Sequence, residues 1–118
     1  MRLNRVLALT AAATTLACSE DSTAPANPCD GRDADFVVNA TDNLRFEPAT
    51  LTIAPGQTVC WQNRENEFHT VTSDDGTTFN SNLGAGAFFV RTFGTAGSFP
   101  YHCIPHLDQG MVGTVTVQ

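Results

Sequence analysis

From residue 36 onward the chain runs in short apolar–polar alternations, broken by turn-forming residues about every eight to twelve positions. Phe36-Val37-Val38 opens the pattern. Leu44 and Phe46 follow, and Leu51 and Ile53 alternate with threonines. Pro55-Gly56 marks a turn before 57–62, a run rich in β formers, and 64–67 is a charged loop. Residues 69–73 form the next expected strand, closed by the turn Asp74-Asp75-Gly76; 88–93 and 99–103 follow, with a turn at 94–98. In 111–118, Val115 and Val117 fall on one face and Thr114 and Thr116 on the other. A short helical turn is expected at 80–85, and no other stretch shows a helical period with caps. This pattern predicts one all-β domain at 35–118, a Greek-key β-sandwich of about seven or eight strands.

The first 34 residues do not share the pattern. Arg2 and Arg5 precede an apolar, small-residue run at 6–17, too short to span a bilayer as a mature helix. Thr15-Leu16-Ala17-Cys18 then resembles a bacterial lipobox, with Thr15 where a leucine is usual. Residues 1–17 are therefore expected to be a lipoprotein-type signal peptide. Cys18 would be the lipidated first residue of an exported chain, anchored on the periplasmic side of the cell envelope. Ordinary cleavage nearby, giving a soluble periplasmic chain, and an uncleaved anchor are the alternatives. Polar and small residues without an apolar period make 18–34 a flexible tether.

The formal net charge of the chain is −6; from Cys18 onward four Arg and no Lys face twelve Asp and Glu, a formal −8. Such a chain repels nucleic acid. The charge serves solubility, or it steers the protein towards a basic partner.

The candidate chemistry lies near the C-terminus, in Tyr101-His102-Cys103-Ile104-Pro105-His106-Leu107-Asp108-Gln109-Gly110-Met111. With the upstream His69, the residues Cys103, His106 and Met111 supply two imidazoles, a thiolate and a thioether, the donor set of a mononuclear blue-copper site. A tight turn between two strands brings the loop donors together, and His69 must come from a neighbouring strand. The run resembles the cupredoxins, most closely the plastocyanin and pseudoazurin branch, whose last loop reads Cys, two residues, His, four residues, Met and a Val-rich strand. Phe46-Glu47-Pro48, the run 55–59, Trp61-Gln62-Asn63 and His69-Thr70-Val71 also look like that family, and the likeness covers about residues 35 to 118.

The resemblance implies one type 1 copper ion held by His69, Cys103, His106 and Met111. Thr70 would donate its backbone N–H to the Cys103 sulfur, Pro105 has no N–H to add a second such bond, and Asn63 would tie the loops around the site. His102, where plastocyanins carry Tyr, alternates away from the metal. If Cys18 goes to lipid and Cys103 to copper, Cys29 and Cys60 remain, and in an oxidising compartment they are expected to form a disulfide; two free thiols are the alternative. If Val59 and Trp61 face the core, Cys60 faces outward, towards the N-terminal segment.

The function implied is one-electron transfer between Cu(II) and Cu(I), not an enzyme activity. A non-redox copper-binding or delivery protein is the alternative, although the exposed Met- or His-rich tracts usual in delivery proteins are missing. Three histidines are too few for the extra copper ions of a copper oxidase or nitrite reductase, and the Met ligand argues against zinc. The resemblance also implies a monomer whose redox partner, a c-type cytochrome or an oxidase domain, docks near His106. Leu107 and 83–87 are the candidate rim for that contact.

Overall fold

The computed structural model describes residues 29–118, so Cys18, the signal peptide and most of the tether lie outside the described residues. Nine strands form two sheets: β1 (Phe36–Thr41), β2 (Arg45–Glu47), β3 (Thr50–Ile53), β4 (Gln57–Gln62), β5 (His69–Ser73), β6 (Asn80–Leu83), β7 (Phe88–Phe93), β8 (Gly97–His102) and β9 (Val112–Val117). One sheet has the order β2-β1-β4-β7 and the other β3-β9-β8-β5-β6. Both are mixed, because β1 runs parallel to β4 and β3 parallel to β9.

The sandwich and its alternation are as expected; the strand count is not. The ninth strand is β6, in the segment read as a helical turn. Asn80-Ser81-Asn82 carries none of the β-branched residues that announce a strand. It is an edge strand held by pairing with β5, from His69↔Leu83 to Thr72↔Asn80. Tertiary pairing here overrides local propensity.

The alternating inward residues make one core. Trp61 is fully buried, and its ring centroid lies 5.4 Å from Tyr101, 5.5 Å from Phe89 and 5.9 Å from Phe79. Its contact with Tyr101 is edge-on at 88°, the geometry that aromatic quadrupoles favour. Gly113 on β9 faces Tyr101 on β8, and a methyl added there would overlap Cζ and Oη of that phenol. Glycine at 113 is therefore a packing requirement.

Tyr101 is 1% exposed, and burial pushes its phenol up to about 12. In the unfolded chain the same group titrates near pH ~10. The native state thus holds the proton more tightly. This contribution is intact below about pH 10 and is lost as pH rises towards 12, by about 3 kcal/mol at the limit. Tyr101 is the chain's one tyrosine, so ultraviolet phenolate absorbance reads its ionisation directly. Folded protein is expected to stay un-ionised well past pH 10, and Tyr101→Phe to lose less stability at alkaline pH than the parent. A native phenol titrating at its ordinary value would contradict this.

Candidate metal centre

β5 and β8 deliver two of the donors side by side. His69 opens β5, and Cys103 follows directly on β8, which pairs with β5 through Thr72↔His102 and Ser73↔Tyr101. The chain then turns through a 3₁₀ helix, Ile104–Gln109, with Pro105 in its first turn. Gly110 ends the helix in the left-handed region at φ 84°, where a residue with a Cβ is strained, and donates its N–H to the carbonyls of His106 and Leu107. The turn closes on itself: Cys103 N–H donates to Met111 O at 3.0 Å, and Met111 N–H to His106 O at 3.2 Å. A second clamp joins the loop to β5, where Ile104 N–H donates to the Thr70 hydroxyl at 2.8 Å.

Three of the four sequence-derived ligands meet as one cluster, His69, Cys103 and His106. The Cys103 sulfur lies 3.3 Å from Nδ1 of His106 and 3.7 Å from Nδ1 of His69, and the two Nδ1 atoms are 3.3 Å apart. A point equidistant from these three atoms lies about 2 Å from each, the length of a metal–imidazole bond. The donors therefore fit a single ion in a trigonal plane, and their mixed soft and imidazole character suits copper. Met111, 0% exposed, sits at the end of the same loop, fixed through its backbone to Cys103 and His106.

Burial acts in opposite senses on the two buried donors. Burial pushes the His69 imidazole below its ordinary value, the neighbouring His106 adds to this, and the Thr41 backbone and the charges of Glu67 and Asp42 oppose it. The ring is thus neutral at pH 7, with a lone pair to offer. Burial pushes the Cys103 thiol up, against the backbone N–H groups of Thr70 and His106 and the Thr70 hydroxyl. A metal must therefore displace the thiol proton. The N–H of Thr70 points at the sulfur over 3.4 Å.

Asn63 is fully buried and satisfied on both ends of its amide. Its Nδ2 donates to Glu67 O at 2.6 Å and Leu83 O at 2.9 Å, and its Oδ1 accepts from Glu65 N–H at 2.9 Å. It ties the 64–67 loop to β6 beside the cluster. His102 points elsewhere, with its Nδ1 2.6 Å from Asp74 Oδ1. Cys29 and Cys60 are joined as a disulfide, with Cys60 on the outer face of β4. A polar cleft of about 410 Å³ lined by Asn39, Ala40, Thr41, Glu47, Arg64 and Glu65 shares no residue with the cluster.

Two features were not legible in advance. Leu83, expected on the docking rim, is 0% exposed and belongs to the core, because β6 turns it inward; Phe68, Ile104 and Leu107, chain neighbours of the donors, are about half exposed. Glu67, in a loop that reads as merely charged, has Oε2 3.2 Å from Nε2 of His106.

A β-sandwich that closes a buried His-Cys-His cluster and a methionine at one end defines a cupredoxin, the class of small copper proteins that carry single electrons. Residues 33–118 match the family model of copper binding proteins, plastocyanin/azurin family, and the chain belongs to that family. It is 37% identical over 86 residues to plastocyanin from Scenedesmus fuscus, covering 64% of this chain and 88% of that one. Against chloroplastic plastocyanin from Tetradesmus obliquus it is 38% identical over 86 residues, 64% of this chain and 59% of the relative. Among solved structures, an oxidised amicyanin variant superposes with a TM-score of 0.67 at 28% identity, covering 82% of this chain and 94% of the other.

Proposed function

We propose that this protein is a one-electron carrier of the bacterial cell envelope, with copper held by His69, Cys103, His106 and Met111. The observation that carries the reading is the buried triangle of two imidazole nitrogens and one thiol sulfur, sized for one ion. Bound copper would supply a one-electron couple. The chain's own residues supply rigidity. Loop and strand are clamped by backbone hydrogen bonds and by Asn63, so the donors need not move when the charge changes. His69, Cys103 and Met111 are each 0% exposed, which favours retention of the ion over delivery to another protein.

His106 is the least buried donor, with its side chain 12% exposed, and gives the electron its shortest way out. Ile104 and Leu107, on the same 3₁₀ turn as His106, and Phe68, next to His69 in sequence, are about half exposed and offer apolar surface for docking. A small, transient redox encounter needs no more. The acidic balance of the chain favours a partner with a basic rim, such as a c-type cytochrome or an oxidase domain. Lipidation at Cys18 would hold this monomeric domain near such a partner.

The test is a copper titration of the mature protein. One Cu(II) per chain is expected to give an intense visible absorption that a reductant bleaches and an oxidant restores. A colourless Cu(II) complex, or colour that does not respond to reductant, would sink the carrier reading.

A further inference from the structure

We infer that Glu67 is a positioning residue for the copper centre, its carboxylate accepting the Nε2–H of His106 and holding that ring with Nδ1 turned to Cys103 and His69. This rests on the reading of His106 as a ligand. The imidazole spans two different neighbours. Nδ1 lies 3.3 Å from the Cys103 sulfur and 3.3 Å from His69 Nδ1, while Nε2 lies 3.2 Å from Glu67 Oε2. A neutral imidazole carries its proton on either nitrogen, and only the Nε2–H form leaves Nδ1 free to bind metal. A carboxylate at Nε2 selects that form.

The carboxylate is not on a loose loop. Glu67 N–H donates to Asp42 Oδ1 at 3.1 Å, and Glu67 O accepts from the buried Asn63 amide at 2.6 Å. Glu65 N–H is held by the same Asn63. The loop therefore presents Glu67 to His106 through contacts independent of the pair itself. Its side chain is 50% exposed and that of His106 is 12% exposed, so the carboxylate stands between the ring and solvent.

A negative charge hydrogen-bonded to a ligand favours the more positive metal state, so Glu67 lowers the reduction potential. Solvent screening reduces this without removing it. In Glu67→Ala, the ratio of Cu(I) to Cu(II) affinity is expected to rise about tenfold, a potential increase of about 59 mV for one electron. Glu67→Gln keeps an acceptor oxygen but loses the charge, and falls between Ala and the parent. Asp108→Asn, which removes a nearby exposed charge without touching His106, moves the potential little.

The experiment is a redox titration of all four copper-loaded proteins, with ¹⁵N imidazole spectra of the diamagnetic Cu(I) forms. Protected Nε2–H exchange in the parent, lost in Glu67→Ala together with the potential rise, supports the inference. A blue parent whose potential and imidazole signals are unchanged in Glu67→Ala overturns the role of Glu67 alone, as does an equal rise in Asp108→Asn. A parent that binds Cu(II) without thiolate absorption overturns the ligand reading itself, and this inference with it.

Discussion

Replacing Cys103 with Ser is expected to abolish the intense visible absorption of the Cu(II) protein completely while leaving the apo-domain folded. The colour requires charge transfer from a thiolate to copper, and Cys103 is the only free cysteine among the described residues. A serine oxygen is a harder, far less ionisable donor and has no comparable transition. The two imidazoles and Met111 would still bind copper, more weakly and without colour. In the apo-protein the cost is small. The serine hydroxyl takes the place of a fully buried sulfur and can accept the Thr70 N–H that now points at Sγ. A loss of roughly 1–2 kcal/mol follows from exchanging one buried polar group for another. The same site predicts that copper uptake releases the thiol proton, since burial keeps Cys103 protonated without metal. Affinity for Cu(II) should therefore weaken as pH falls. Far-ultraviolet circular dichroism and a copper titration followed in the visible region check both parts. A Cys103→Ser protein that stays intensely blue would remove Cys103 from the centre.

The sequence carries the site more clearly than it carries the fold's edges, and the reason is physical. Ligands on one short loop are fixed by spacing, and Cys103, His106 and Met111 are held within one turn whose closure depends on Pro105 and Gly110. His69 is legible as the upstream histidine in the family-like run His69-Thr70-Val71, and the pairing of β5 with β8 brings it to the loop. Central strands such as β4 announce themselves by their β formers. Asn80–Leu83 does not, because its backbone is ordered by β5 and not by its own side chains. Leu83 lies in the core and not on the rim for the same reason: a helical turn and a strand send the residue in different directions. Glu67 was invisible because nothing in Arg64-Glu65-Asn66-Glu67 distinguishes a solvated acid from one aimed at a ligand. That distinction depends on where Asn63 and Asp42 anchor the loop.

Removing the disulfide, as Cys29→Ser with Cys60→Ser, is expected to cost the apo-domain about 4 kcal/mol. The crosslink closes 31 residues of sequence, and restricting an unfolded loop of that size contributes about 4 kcal/mol in the chain-entropy account. Against a total of roughly 5–15 kcal/mol for a small domain this is a large share. It corresponds to a fall in Tm of roughly 15–30 °C at this size. The native-state side points the same way. Val37, Cys60 and Val90 stand in one row across β1, β4 and β7 on the outer face of the sheet. Cys29 seals that row, and Arg32 lies over the Phe88 ring at 4.1 Å. Without the bond the 29–35 segment loses its covalent hold, and the half-covered Val37, Phe88 and Val90 gain exposure. The effect should be measured on apo-protein, because a bound metal would add its own stabilisation and mask part of the loss. Denaturant midpoints for parent and double variant give the difference directly; a change below about 1 kcal/mol would show that the unfolded chain is already constrained or the native bond strained. The copper spectrum of the variant, where it remains folded, should match the parent's. Cys60 lies on the outer face of the opposite sheet from Cys103 and shares no contact with the donors, so the disulfide supports the centre only by keeping the sandwich that holds it.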